Sequence, residues 1–383
     1  MKNLSETVSG KAHTCALSTS GTVQCWGVGT AGQLGDGTYD SATLPVPVSG
    51  ITNAVSLSLG TNTSCAVLGD GTARCWGNNS YGELGTGTYT SNEPVPVAVS
   101  GLSDVVSISA GQYHTCAVIT DGTARCWGNN GSGQLGDGTN TASNVPVTVS
   151  GLTNVISISA GDNQTCAVLS DGTARCWGYN DFGQLGDGTV TNSNVPVAVT
   201  GLSGVTAIDT MYRHSCAVLD DGTARCWGYN YYGQLGNATN TNSNLPVAVS
   251  GLTNAASVSV GMDYSCVTLT DGTARCWGFN GYRNLGTGNQ TNSNVPVTVS
   301  GLSDIGTMSV GGYHACATLS DATSRCWGSN NDGQLGNGTK TLDDPDSSPL
   351  YPESPMTGFT KLDSEGEGTC AVMQDATVKC WGE

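Results

Sequence analysis

Sixteen cysteines are the residues of this 383-residue sequence best placed to do chemistry. They stand in eight pairs, each with nine residues between partners: Cys15/Cys25, Cys65/Cys75, Cys116/Cys126, Cys166/Cys176, Cys216/Cys226, Cys266/Cys276, Cys316/Cys326 and Cys370/Cys380. Thiolate metal centres usually pair cysteines two residues apart, and a nearby histidine (His13, His114, His214, His314) accompanies only half of these pairs, so zinc is not expected. An even count at repeating positions leaves a disulfide framework or a set of reduced, buried thiols. No Ser/His/Asp set, carboxylate pair or phosphate-cradling motif stands apart from the repeats. The GDGT segments at Gly35, Gly136 and Gly186 offer one carboxylate each, too few for a calcium loop. The pattern predicts a protein that is not an enzyme and uses no cofactor or metal.

Those pairs must be held by a regular scaffold. The first cysteines fall at 15, 65, 116, 166, 216, 266, 316 and 370, so the chain repeats about every 50 residues. DGTARCWG occurs unchanged from Asp70, Asp121, Asp171, Asp221 and Asp271. Glycine is abundant (55), phenylalanine scarce (3) and charge low (11%), a mixture that suits short strands and tight turns. Within one repeat, period-two alternation marks four strands: PVTV (146–149), VISISAG (155–161), TCAVL (165–169) and TARCWG (173–178). A Gly/Asn-rich connection then leads to the next PV. Four antiparallel strands per repeat are the signature of a propeller blade. The whole chain, 1–383, thus reads as one all-β domain, a β-propeller of four-stranded antiparallel blades. Seven blades are expected, with residues 349–358 closing the N-terminal blade; eight is the alternative.

The hairpin register follows from the turn. A three-residue Thr-Asp-Gly loop with glycine left-handed pairs Ile119 with Thr123, and counting back places Cys116 opposite Cys126 in a non-hydrogen-bonded pair. Such pairs have Cα atoms about 4.5 Å apart, within disulfide reach. Eight cross-strand disulfides are therefore expected, and with them an oxidising compartment. All eight tryptophans follow the second cysteine of a pair, which assigns them to packing between blades. The four histidines share one repeat position and are expected to make structural hydrogen bonds.

The ordered motifs H-T-x-A, the DG turn, WG and GQLG (from Gly32, Gly133, Gly183, Gly233 and Gly333, with variants at Gly82 and Arg283) resemble the regulator of chromosome condensation repeat. The resemblance spans nearly the whole chain. It implies a β-propeller, typically of seven blades, and apolar, buried surroundings for the two cysteine positions. Founding members of that family exchange nucleotide on a small GTPase and bind chromatin. This chain has no basic tail and a formal net charge of −17, which opposes nucleic-acid and anionic-lipid contact. A secreted bacterial-type member with paired cysteines is the nearer likeness in style.

No apolar run of eighteen residues exists, so no membrane insertion is expected. MKNLSETVSGKAH lacks the apolar stretch of a signal peptide, suggesting a mature domain behind an added methionine or a piece of a longer chain; an extracellular or cell-surface location is expected. The loops before each histidine position and after each CWG share one end of the blades. They vary most and carry Tyr81, Tyr113, Tyr179, Phe182, Tyr212, Arg213, Tyr229, Tyr231, Tyr232, Tyr264, Phe279, Tyr282, Arg283 and Tyr313. Aromatics and arginine on rigidly held loops suit a protein-binding surface. A glycan-binding propeller and a structural module of a larger surface protein are the alternatives. The partner is expected to be a protein or a glycan.

Overall fold

The computed structural model describes residues 4–9, 13–18, 20–320, 324–329, 359–365, 368–373 and 378–382. Among them there is no helix, and thirty strands form eight sheets, one around each cysteine hairpin. Six sheets have four strands and two have three, all in chain order. The three-stranded sheets are Ile305–Val310, His314–Leu319 and Ser324–Gly328, then Phe359–Glu365, Gly368–Met373 and Val378–Gly382. This is the all-β, up-and-down blade architecture of a β-propeller. The N-terminal sheet has four strands of its own, Leu4–Ser9, His13–Ser18, Val23–Gly27 and Ala42–Pro47. Residues 349–358, expected to close that sheet, lie outside the described residues. The chain divides into two compact units, one of Asn3–Asp181 with Thr191–Val199, the other of Met1–Lys2, Phe182–Val190 and Thr200–Glu383.

One expectation needs correcting: the phase of the blade. The PV strand was placed first in its repeat, yet it pairs backwards. Ser193–Ala198 runs against Ala174–Gly178 with Arg175 opposite Ala198 and Cys176 opposite Val197. The fourfold order is therefore Val155–Ala160, Gln164–Leu169, Ala174–Gly178, Ser193–Ala198. Pro196 accordingly lies inside the edge strand, where its missing N–H interrupts no inner ladder.

The cysteine hairpin forms in the expected register. Ile119 N–H donates to Thr123 O (2.9 Å), Gly122 takes φ +78°, and Val118 faces Ala124. The Asp121 carboxylate accepts from Thr123 N (2.8 Å) and Thr123 Oγ1, closing the turn from outside. Cys116 then faces Cys126, and their Cα atoms stand 4.1 Å apart in a disulfide. Five further disulfides join Cys15–Cys25, Cys65–Cys75, Cys166–Cys176, Cys216–Cys226 and Cys266–Cys276. Backbone pairing sets Cys316 against Cys326 and Cys370 against Cys380, while their side chains lie outside the described set.

Burial of the second strand on both faces explains its unbroken TCAVL-type run: every residue of Gln164–Leu169 is buried. Its cysteine and its alanine point to opposite sides. The cores lie between successive sheets. Cys116, Val118 and Cys126 pack with Leu135, Val149, Ala167, Leu169 and Trp177. Trp177 is thus the wedge expected of it, and its indole N–H donates to Gln134 O at 2.8 Å, so a large ring is buried with its donor satisfied. The same contact recurs at Trp76, Trp127, Trp227, Trp277 and Trp327.

Candidate functional site

The loops that carry the aromatic residues are pinned by buried polar side chains. After the strand Ala224–Gly228 the chain turns through Tyr229–Asn230–Tyr231–Tyr232–Gly233–Gln234. Asn230 is fully buried: its Oδ1 accepts from Leu235 N (2.9 Å), and its Nδ2 donates to Thr239 O (3.1 Å) and Thr241 O (3.0 Å). Gln234 Oε1 accepts from Tyr232 N (3.0 Å), and Gln234 O accepts from both Ser265 Oγ (3.0 Å) and Trp277 Nε1 (2.8 Å) of the next sheet. A loop with its interior amides occupied in this way holds its outward side chains at low entropic cost. The segment before each second strand is tied to the same loop, since Tyr229 N donates to Arg213 O (2.9 Å) and Phe279 N to Asp263 O (3.0 Å).

On that frame seven rings form a continuous series. Phe182 meets Tyr229 edge-on (5.0 Å between centroids), and Tyr229 stacks on Tyr231 (6.4 Å). Tyr231 meets Tyr232 at 90° and 5.0 Å, and Tyr232 meets Phe279 at 5.0 Å. Phe279 touches Tyr282 (5.9 Å) and Tyr313 (5.7 Å), which touch each other (5.1 Å). Mostly edge-to-face contacts of this kind are the favoured geometry for aromatic quadrupoles. The Arg213 guanidinium caps one end, 4.3 Å from the Tyr212 ring, 5.0 Å from Phe182 and 5.8 Å from Tyr229. All of these residues belong to the second compact unit.

The family model of the RCC1-like domain matches residues 1–314, and that of the regulator of chromosome condensation (RCC1) repeat matches 307–334. The chain belongs to the RCC1-like domain family. Human HERC2, an E3 ubiquitin-protein ligase, is similar to this RCC1-like chain at 31% identity over 140 residues, 35% of this chain and 3% of HERC2. The chain thus spans a small fraction of the curated relatives it matches. Among solved structures, Prp20p of Saccharomyces cerevisiae is similar at TM-score 0.67 and 24% identity, over 78% of this chain and 77% of its own. Human WBSCR16 is similar at TM-score 0.69 and 23% identity, over 80% of this chain and 84% of its own. At these identities the likeness speaks to the fold.

Of the residues that the sequence singles out in this RCC1-like chain, Phe182, Tyr212, Arg213, Tyr229, Tyr231, Tyr232, Phe279, Tyr282 and Tyr313 come together as described. Tyr113 lies in the first unit, edge-on to Tyr81 (5.4 Å) with its hydroxyl accepting from Gln112 Nε2. Tyr179 donates to Asp181 Oδ2 (2.9 Å). Arg283 occupies the place of the first glycine of GQLG and keeps its left-handed backbone, φ +60° against +87° at Gly233. Tyr264 is a correction. It was expected on the loop face, yet it is fully buried in the strand Tyr264–Leu269, because it stands at the repeat position of the histidines. Burial drives its phenol far above the ordinary tyrosine range.

The histidines, by contrast, do what their shared position implied. His13, His114 and His214 each reach the next sheet through Nε2, to Ser64 (2.7 Å), Thr165 (2.8 Å) and Ser265 (2.8 Å). Thr165 Oγ1 spends its one proton on Gln134 O (2.9 Å), so His114 Nε2 must carry a proton and donate to it. Burial lowers His13 and His214 to about 3 and His114 to about 4, keeping all three neutral.

Sequence reasoning missed Asp263. It sits at the position that Tyr113, Arg213 and Tyr313 occupy in other repeats, and that equivalence was the available signal. Its Oδ1 accepts from Gln234 Nε2 and its Oδ2 from the Tyr313 hydroxyl, both at 3.4 Å. Partial burial raises its pKa above the usual carboxylate value despite the Tyr313 bond and the nearby Arg213 charge. Burial first, and then the Asp263 charge, push the Tyr313 phenol up to about 12. Among the described residues no group of three His, Cys, Asp or Glu side chains converges to hold a metal ion.

Proposed function

We propose that this RCC1-like chain is a non-catalytic protein-interaction module that binds its partner through the ring series from Phe182 to Tyr313, in an oxidising environment outside the cell or at its surface. The carrying observation is the series itself: seven rings in contact, capped by Arg213, with its central pair Tyr231 and Tyr232 on a loop pinned from inside by Asn230 and Gln234. Tyr and Arg on a rigid support are the residue types that dominate protein interfaces. Tyr231 is 65% exposed, far more than the folding of the loop demands, which supports a role in contact. Six described disulfides support the oxidising compartment. Prp20p, described with its binding to Gsp1p and histones, offers a precedent for protein binding on this fold. The ligase activity named for HERC2 is not carried over, because the match covers 3% of that protein.

The test is capture of partners from the surface fraction of the source organism by the parent protein and two variants. Tyr231→Ala with Tyr232→Ala should abolish capture, while Asp121→Ala at the hairpin end should leave it unchanged. Equal loss from both variants would place binding elsewhere. A glycan array bound by the parent protein, with no protein captured, would replace the protein partner with a sugar.

A further inference from the structure

Asp263 carries a charge that the fold does not require. In two other sheets the equivalent residues are Asn62 and Asn163, and their Oδ1 atoms accept from Gln33 Nε2 and Gln134 Nε2, each at 3.3 Å. Gln234 Nε2 makes the same bond to Asp263 Oδ1 at 3.4 Å. A neutral amide therefore does the structural work as well as a carboxylate. Among the described residues the second oxygen meets only the Tyr313 hydroxyl, also at 3.4 Å, long for a bond to a charged acceptor. Among the described residues no lysine or arginine nitrogen comes within ion-pair distance of Asp263; the nearby Arg213 guanidinium lies over the rings of Tyr212, Phe182 and Tyr229. A half-buried carboxylate with no ion-pair partner is costly, and here it is bonded to the hydroxyl of one ring of the aromatic series, Tyr313.

We infer that the aromatic face recognises a basic side chain of its partner, a lysine or arginine whose apolar stem lies across the Phe279 and Tyr313 rings and whose cationic head pairs with Asp263. This inference rests on the protein-binding reading above and narrows it to a partner segment of stated chemistry. The formal net charge of −17 acts in the same direction, since it draws a basic segment towards this surface and repels an acidic one. A cation there would give Asp263 an ion pair at contact distance and gain a cation–π contact with the rings, two contributions that neither a neutral nor an acidic residue supplies.

The test uses three capped pentapeptides, Ser-Leu-X-Leu-Ser with X as Lys, Arg or Gln, titrated calorimetrically into the 383-residue protein. The Lys and Arg peptides should bind about tenfold or more tightly than the Gln peptide, and the difference should shrink as salt is raised. Asp263→Asn, which copies Asn62 and Asn163 and so retains the Gln234 bond, should abolish the preference without lowering the melting temperature. Three equal affinities, a preference that survives Asp263→Asn, or basic peptides that fail to bind at millimolar concentration would each overturn the inference. Neutral oligosaccharides that bind parent and Asp263→Asn alike, where the basic peptides do not, would also overturn it. Failure of the peptides alongside intact, Tyr231- and Tyr232-dependent partner capture would leave the interaction surface standing and remove only the basic-residue claim.

Discussion

The Tyr264 hydroxyl donates to the backbone carbonyl of His314, 2.5 Å away in the next sheet. Histidines at this repeat position stop one step short, at a Ser or Thr hydroxyl of the neighbouring sheet. Opposite Tyr264 that residue is Ala315, which has no hydroxyl, and the longer tyrosine reaches past it to backbone. The two departures from the repeat compensate each other. Tyr264→His alone should therefore destabilise the protein by roughly 2–4 kcal/mol, since it opens space and leaves the imidazole unpaired, while the His314 carbonyl keeps only its bond from Gly311 N. Tyr264→His together with Ala315→Ser should recover part of that loss. Urea unfolding of the four proteins of the cycle measures the coupling, expected at about 1–2 kcal/mol; strict additivity would refute the compensation.

Acid should weaken the fold in two separate windows. His13, His114 and His214 are held below their ordinary 6.5 by burial, so the unfolded chain binds protons first. Their stabilisation is complete above pH 6.5 and is lost as pH falls from there towards about 4 for His114 and about 3 for the other two, at up to about 1.4 kcal/mol per pH unit for each. The aspartates of the DG turns, Asp70, Asp121, Asp171, Asp221 and Asp271, are lowered chiefly by their Thr hydrogen bonds, and their contribution disappears only below the usual carboxylate range. Melting temperature against pH should show the first decline, and His114→Gln, which imitates Gln164, should make it shallower.

Each cystine closes a ten-residue separation, for which chain entropy allows at most about 3 kcal/mol. Cys166→Ala with Cys176→Ala should lower unfolding free energy by about 2–4 kcal/mol once the lost buried sulfur is included. Peptide mapping without reduction should find eight linked pairs, because the backbone register at Cys316/Cys326 and Cys370/Cys380 matches that of the others. Free thiols throughout would remove the case for an oxidising compartment.

The final glycine of GQLG is required by tryptophan. A Cβ on Gly236 would stand 2.8 Å from Trp277 Nε1, and the backbone there has φ +65°. At Gly251, with φ +68°, a Cβ would meet nothing within 4 Å. Gly251→Ala should cost about 1 kcal/mol of backbone strain, and Gly236→Ala about 1–3 kcal/mol more. Thermal melts of the two variants separate the steric part from the conformational part.

The hairpin was legible residue by residue, because a three-residue loop and a period of two leave one register that joins Cys116 to Cys126. The position of the PV strand was not. A connection of about fourteen residues separates Gly178 from Ser193, and nothing local says whether Ser193–Ala198 pairs with the strand before or the strand after it. Tyr264 was misplaced because it was read by residue type among surface tyrosines, although its spacing from Cys266 set it at the buried histidine position. Asp263 passed unnoticed for the opposite reason: a single carboxylate in a loop looks ordinary until its sister positions prove to be asparagines with the same glutamine partner.

The sequence by itself determined the repeat, the staple, the tryptophan wedge and the end of the blades on which variation collects. These depend on turn geometry and side-chain alternation, which act over a few residues. Only the tertiary structure decided that Phe182, Tyr229, Tyr231, Tyr232, Phe279 and Tyr313, spread over 132 residues of chain, touch in series, and that Asp263 lies beside them with no ion-pair partner among the described residues. Contact between side chains on different sheets depends on how the sheets stack and how their loops are pinned, and that information is in no single repeat.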